Sequence, residues 1–138
     1  MKNRRGQAAI EYMTVFGIAL LLSTPFIMRA QSSIMDLKTG SEIIEMRDSL
    51  SKIETSVQTV GAAGEPARRT FHVEIPRSVV SSRIENDTVV FTLRGPAGNS
   101  DMSRSFETNV TGTLPDTPGI HRLTVYAENG AVHIEVVG

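Results

Sequence analysis

Few side chains in this 138-residue chain could do covalent chemistry. There are no cysteines, which removes thiolate nucleophiles, thiolate metal ligands and disulfides together. The three histidines, His72, His121 and His133, lie in the second half of the chain. No G-x-S-x-G, H-E-x-x-H, phosphate-binding Gly loop or EF-hand pattern accompanies them. His72 and His133 fall in the polar phase of alternating segments and His121 begins one, so they read as solvated or cross-strand residues. The sequence therefore predicts no enzyme and no catalytic, cofactor-binding or metal site. Two features with chemical consequences remain. Asn86-Asp87-Thr88 and Asn109-Val110-Thr111 fit the N-glycosylation pattern, which suits an outward-facing domain. The other is Glu11, an acid set inside an apolar run.

The element that must carry Glu11 is a helix long enough to cross a bilayer. Residues 1–6, MKNRRG, hold Lys2, Arg4 and Arg5 and no acid, and from Tyr12 to Met28 there is no charge at all. The segment 7–28, at 1.5 Å per residue, spans roughly 33 Å as a helix. The basic cluster ahead of it places the N-terminus in the cytoplasm, so everything after Arg29 should face outward. A secretory signal peptide would need a small-residue cleavage site after the apolar run, and Met28-Arg29-Ala30 suits one poorly. A plain single-pass anchor leaves Glu11 unexplained, since an acid costs on the order of 2.5–3.5 kcal/mol at mid-bilayer. Either Glu11 sits shallow among headgroups, or it awaits a positive partner. A new α-amino group would be such a partner, if the chain were cut just before Gln7.

The run Arg5-Gly6-Gln7-Ala8-Ala9-Ile10-Glu11-Tyr12, followed by the apolar stretch, closely resembles the class III signal peptide of archaeal type IV pilins. The resemblance covers residues 2–28. It implies cleavage between Gly6 and Gln7 by a prepilin-type membrane peptidase, with Arg5, Gly6 and Gln7 as the processing site. Glu11 then becomes the fifth residue of the mature chain. Ala9 stands where many members carry Ser. The resemblance also implies assembly through Gln7, Glu11 and Tyr12, on an assembly platform driven by a motor ATPase. In such a filament Glu11 of one subunit pairs with the Gln7 amine of its neighbour, which satisfies the acid and sets axial register. Apolar helices gain little hydrophobic energy on leaving lipid for a filament core, so packing and that pair must decide geometry.

Beyond the apolar run the sequence predicts an α+β layout. The expected divisions are a cleaved leader at 1–6, a membrane or filament-core helix at 7–28, an amphipathic extension at 29–60 and a β-rich outer domain at 61–138. Pro25 removes the hydrogen bond to the Leu21 carbonyl and is expected to kink or loosen the helix; Ala19 and Ser23 have small-xxx-small spacing. Gly40 is a weak point, and Thr39 with Glu42 has capping-box spacing for a restart. Ile43, Met46, Leu50, Ile53, Val57 and Val60 then recur every three or four residues, one stripe of an amphipathic helix. That stripe is expected to cover the chain's own sheet, and Gly61 to Pro66 to end the helix.

Period-two alternation predicts strands around Phe71, Val73 and Ile75; Val89, Phe91 and Leu93; Leu123 and Val125; and Val132, Ile134 and Val136. Asn129-Gly130 is a strong hairpin signal and Asn86-Asp87 a second turn. Pro96, Pro115 and Pro118 belong to loops. Six short strands in a small antiparallel sheet or partial sandwich are expected. A module this small buries only about 60% of its surface and is marginal alone, so the 41–60 helix would supply the missing core.

Composition narrows the partners. Lys and Arg number 14 against 15 Asp and Glu, and aromatics make up only 5%, which argues against nucleic acid. Two function classes stay open. One is a pilin-like polymer subunit, membrane-held before assembly and in a cell-surface filament after it, whose partners are other copies of itself or related pilins. The other is a single-pass anchored extracellular binding module that never polymerises.

Overall fold

The computed structural model describes residues 3–138, with the side chains of residues 3–5 and 35 outside that description. One helix, α1 (Asn3–Ala63), precedes seven strands: β1 (Arg68–Ile75), β2 (Val79–Glu85), β3 (Thr88–Gly95), β4 (Gly98–Ser105), β5 (Val110–Gly112), β6 (Gly119–Glu128) and β7 (Ala131–Val137). Two compact units divide the chain, Met1–Lys38 and Thr39–Gly138.

The first unit is helical throughout its described residues and has no core of its own. Its apolar side chains from Ile10 to Leu37, among those described, are exposed. The helix runs through Pro25 without interruption. It also continues through Gly40, so the expected break and restart at Thr39–Glu42 does not occur. A glycine inside a helix costs only about 1 kcal/mol relative to Ala, which neighbouring turns can absorb. The end of α1 lies at Gly64, whose φ of 67° is left-handed. The Gly64 N–H still reaches the Val60 carbonyl at 3.0 Å, a glycine-terminated C-cap.

In the second unit, two sheets and the last turns of α1 share one core. The larger sheet has the order β1-β6-β7-β5 and the smaller β2-β3-β4. All pairs are antiparallel except β5 with β7, which is parallel. Seven strands in two sheets thus stand where six were expected, in one sheet or a partial sandwich. From the helix, Met46, Leu50, Ile53, Val57 and Val60 are buried; they meet Val73, Ile75, Leu123, Val125 and Ile134 of the larger sheet and Val89, Phe91 and Leu93 of the smaller. Ile43, at the head of the expected stripe, stays 39% exposed. The 3–4 spacing does what it must: it puts one apolar line on one side of the helix, and that line closes the core.

Polar contacts hold the layers in register. The buried Ser49 hydroxyl donates to the Glu74 carbonyl at 2.7 Å and accepts the Glu74 N–H at 3.1 Å. It thereby satisfies both backbone groups of one residue on the outermost strand of the larger sheet, where no neighbouring strand can. On the smaller sheet, Arg104 of β4 pairs with Glu54 of α1 at 3.3 Å.

Both expected turns form. Asn86 and Asp87 have φ of 47° and 58°, and Asn129 and Gly130 have φ of 53° and 76°. Each pair is the two-residue, doubly positive-φ loop that matches the twist of the strands it joins. Asp87 does more than turn the chain: its carboxylate accepts the Val110 N–H at 2.9 Å and its carbonyl accepts the Phe106 N–H at 2.9 Å. At the far end of β5, a Cβ on Gly112 (φ 126°) would lie 2.0 Å from the Ile134 carbonyl oxygen, so the close parallel approach of β5 to β7 requires glycine there.

Candidate functional site: the exposed apolar helix

Among the described residues, 12–28 of α1 form a long unpartnered apolar surface. Tyr12, Leu21 and Phe26 are each about three-quarters exposed. Because this stretch is apolar all round, no rotation of the helix could hide it on a single partner face. Its length and composition suffice to cross a membrane.

The few polar groups inside the stretch are disposed as a lipid environment demands. The Thr14 hydroxyl donates to the Ile10 carbonyl at 2.8 Å, Ser23 to Ala19 at 2.7 Å and Thr24 to Leu20 at 3.0 Å. Each hydroxyl spends its proton on its own helix four residues back, so none presents an unmet donor to hydrocarbon. The Ser23 and Thr24 bonds lie just before the gap at Pro25, which has no N–H for the Leu21 carbonyl.

The sequence-predicted residues fall into two separate groups. Gly6, Gln7, Glu11 and Tyr12 lie on the first described turns of α1, with Gln7, Glu11 and Tyr12 exposed. Gln7 and Glu11 are four residues apart and share one helix face. No atom lies within 4 Å of where a Cβ on Gly6 would stand. Lys2 and the Arg5 side chain fall outside the described residues. Asn86 and Asn109 are exposed on the β unit. The bond from Val110 N–H to Asp87 joins their immediate neighbours, so both sequons occupy one end of that unit.

His121 turns back on its own loop, with Nε2 2.8 Å from the Thr117 carbonyl, whereas His133 makes cross-strand contacts. His133 of β7 stacks on Tyr126 of β6 at 5.3 Å between ring centres, and its Nδ1 lies 2.9 Å from the Thr111 hydroxyl of β5. Arg68 of β1 lies 5.5 Å from the centre of the same Tyr126 ring. These four residues make one transverse row across all four strands. Both neighbours of Tyr126 are engaged with it, so the row is a brace rather than an open aromatic platform. Among the described residues, no group of three or more His, Cys, Asp or Glu side chains is placed to hold a metal ion.

Two features of the β unit were not legible in the sequence. On the smaller sheet, Asp101 accepts from Thr92 at 2.6 Å and from Arg83 at 2.9 Å. The Thr92 hydrogen bond first, and Arg83 second, hold the Asp101 carboxyl below its usual range, and Asp101 holds the Arg83 guanidinium above its own. The other feature is a cleft between Glu42 of α1, the turn at Arg77–Val80 and Arg94 of β3. No period or motif links residues so far apart in the chain. The chain matches no protein-family model, no curated protein and no solved structure among those compared with it.

Proposed function

We propose that this chain is a structural subunit of an archaeal type IV pilus-like surface filament, processed after Gly6 and polymerised through its N-terminal apolar helix. One observation carries the reading. The apolar stripe at 46–60 is consumed by the chain's own core, whereas the all-round apolar surface at 10–28 is left for something outside the chain. A membrane can cover that surface before assembly, and sister helices can cover it afterwards. The basic leader, the Gly6-Gln7 junction and Glu11 supply the processing site and the charge pair that such an exchange needs. A prepilin-type peptidase, an assembly platform and a motor ATPase are the partners this reading requires.

The test is Glu11→Val. An acid in the membrane is only a burden to a simple anchor, so that change should leave insertion unharmed or improved. In a filament it strands the neighbour's Gln7 ammonium, and a buried charge deprived of its partner costs about 3–5 kcal/mol. The expected result is mature protein beginning at Gln7, held in the membrane, with few or no filaments by electron microscopy. Co-expression with the unaltered chain should also reduce filament yield. Filaments of ordinary length from Glu11→Val would show that Glu11 is a shallow interfacial acid with no part in assembly, whereas a native chain that still begins at Met1 or Lys2 would favour the non-polymerising anchored module instead.

A further inference from the structure

The cleft beside the Arg77–Val80 turn has an unusual balance of groups. It has a volume of about 470 Å³ and is lined by Glu42, Arg77, Ser78, Val79, Val80 and Arg94. The Ser78 hydroxyl is buried and has no hydrogen-bond partner, alone in this respect among the described side chains. That hydroxyl is sealed beneath the floor of the cleft, so the groups that a ligand would meet first are the charged ones. Neither Arg77 nor Arg94 makes an ion pair among the described residues, although other arginines, Arg83 and Arg104, do.

The frame around these groups is fixed. The Val79 N–H donates to the Pro76 carbonyl at 3.2 Å, and the Arg94 N–H to the Ser78 carbonyl at 2.7 Å. The turn is thus pinned to β3, and Ser78 cannot swing its backbone to satisfy its own hydroxyl. Val80, 43% exposed, gives the cleft an apolar margin.

We propose that this cleft binds a small monoanionic hydroxy-carboxylate, such as a sugar acid. Two guanidinium groups against one carboxylate leave the walls with a single net positive charge, which matches a monoanion. Guanidinium forks pair with carboxylates through two parallel hydrogen bonds. Glu42 repels a dianion such as phosphate and accepts hydrogen bonds from ligand hydroxyls. The volume lies within the range of about 300–1,000 Å³ that small-molecule sites occupy. This site lies in the β unit and owes nothing to the filament reading.

The test uses the full chain in detergent micelles, titrated with glucuronate and followed by backbone amide shifts at residues 77–80 and 94. Saturable binding is expected, at least about 10-fold tighter than for glucose, which lacks the charge, and for inorganic phosphate, whose second charge meets Glu42; a charge-assisted hydrogen bond accounts for a factor of that size. Arg77→Gln and Arg94→Gln should each weaken glucuronate about 10-fold or more on the same grounds, with the remaining amide spectrum unchanged. Glu42→Gln should narrow the preference for glucuronate over phosphate. A uronic-acid tetrasaccharide that binds much more tightly than glucuronate identifies a polysaccharide as the source, and equal affinity identifies the free acid. Glucuronate binding no better than glucose, or unaffected in the Arg77→Gln/Arg94→Gln double variant, would overturn the proposal.

Discussion

Within the single helix α1, the apolar residues of 10–28 and those of 46–60 meet opposite fates. In the later stretch they fall every three or four positions, with Ser49, Lys52 and Thr55 among them, and the line they draw is buried beneath two sheets. In the earlier stretch they follow one another without a polar face, and all of them are exposed. The earlier stretch has 13 of them in 19 residues and the later only 5 in 15, and only the later set falls in a single phase. A stripe can be satisfied by one partner surface, which the same chain can fold to provide. A helix that is apolar on every side needs surroundings on every side, and those come from lipid or from other chains.

That contrast can be broken most sharply by truncation. A chain beginning at Thr39 should remain folded, β-rich and soluble, because the second unit keeps its whole core. One beginning at Arg68 should aggregate, because removing the stripe uncovers the inner faces of both sheets. Circular dichroism and sedimentation of the two chains check this, and equal behaviour would mean that the stripe serves other subunits rather than its own sheets.

Point substitutions sharpen the same contrast. Ile53→Ala should destabilise the second unit by about 2–5 kcal/mol, the range for emptying a buried aliphatic site. Leu21→Ala, on the exposed stretch, should leave that unit's stability within about 0.5 kcal/mol of the original. Denaturant titration of both chains in the same detergent measures the difference.

A smaller loss is expected at Ser49. Replacing it with Ala removes the partner of both the N–H and the carbonyl of Glu74, at a cost of about 1–3 kcal/mol for buried groups left unpaired. Amide exchange at Glu74 should quicken more than at Leu123 in the centre of the sheet.

The smallest effect belongs to the exposed Arg83–Thr92–Asp101 cluster. Because Asp101 is held below its usual carboxyl value, its contribution is fully present above the ordinary range near 4. It fades as the pH falls through the lowered value in the folded chain. Asp101→Asn should therefore be slightly less stable than the parent at neutral pH, and the two should converge in strong acid. Thermal melts across that interval test the sign.

Much of this arrangement is readable from residue order. The stripe, the four alternating strands and both Asn-led turns announce themselves because a regular period or a required positive φ leaves a mark. The remaining strands do not. β2 begins with Val79-Val80-Ser81-Ser82 and has a register shift between Val79 and Ser81, so its alternation is lost. β4, Gly98–Ser105, carries a single large apolar residue, Met102, because an edge strand there buries little. β5 is only three residues long, and its parallel pairing with β7 depends on a close approach at Gly112 rather than on a pattern. The candidate assembly residues stand out because charge, Gly, Gln and acid precede an apolar run in a fixed order. The cleft at Arg77 and Arg94 is silent for the opposite reason, since the residues that line it meet only after both the turn and the sheet have formed.

The Ser49 hydroxyl has a mechanical consequence as well. A core of aliphatic side chains is forgiving of small slips, since one methyl group serves nearly as well as another. A hydroxyl that must meet an N–H and a carbonyl of the same residue is not. Sliding α1 along its axis by one residue, about 1.5 Å, takes Ser49 away from both groups of Glu74 at once. Under a pull along the helix the contact therefore behaves as a detent. It resists the first ångström of shear, so load arriving through α1 passes into β1 at one defined point before the greasy layer beneath begins to yield.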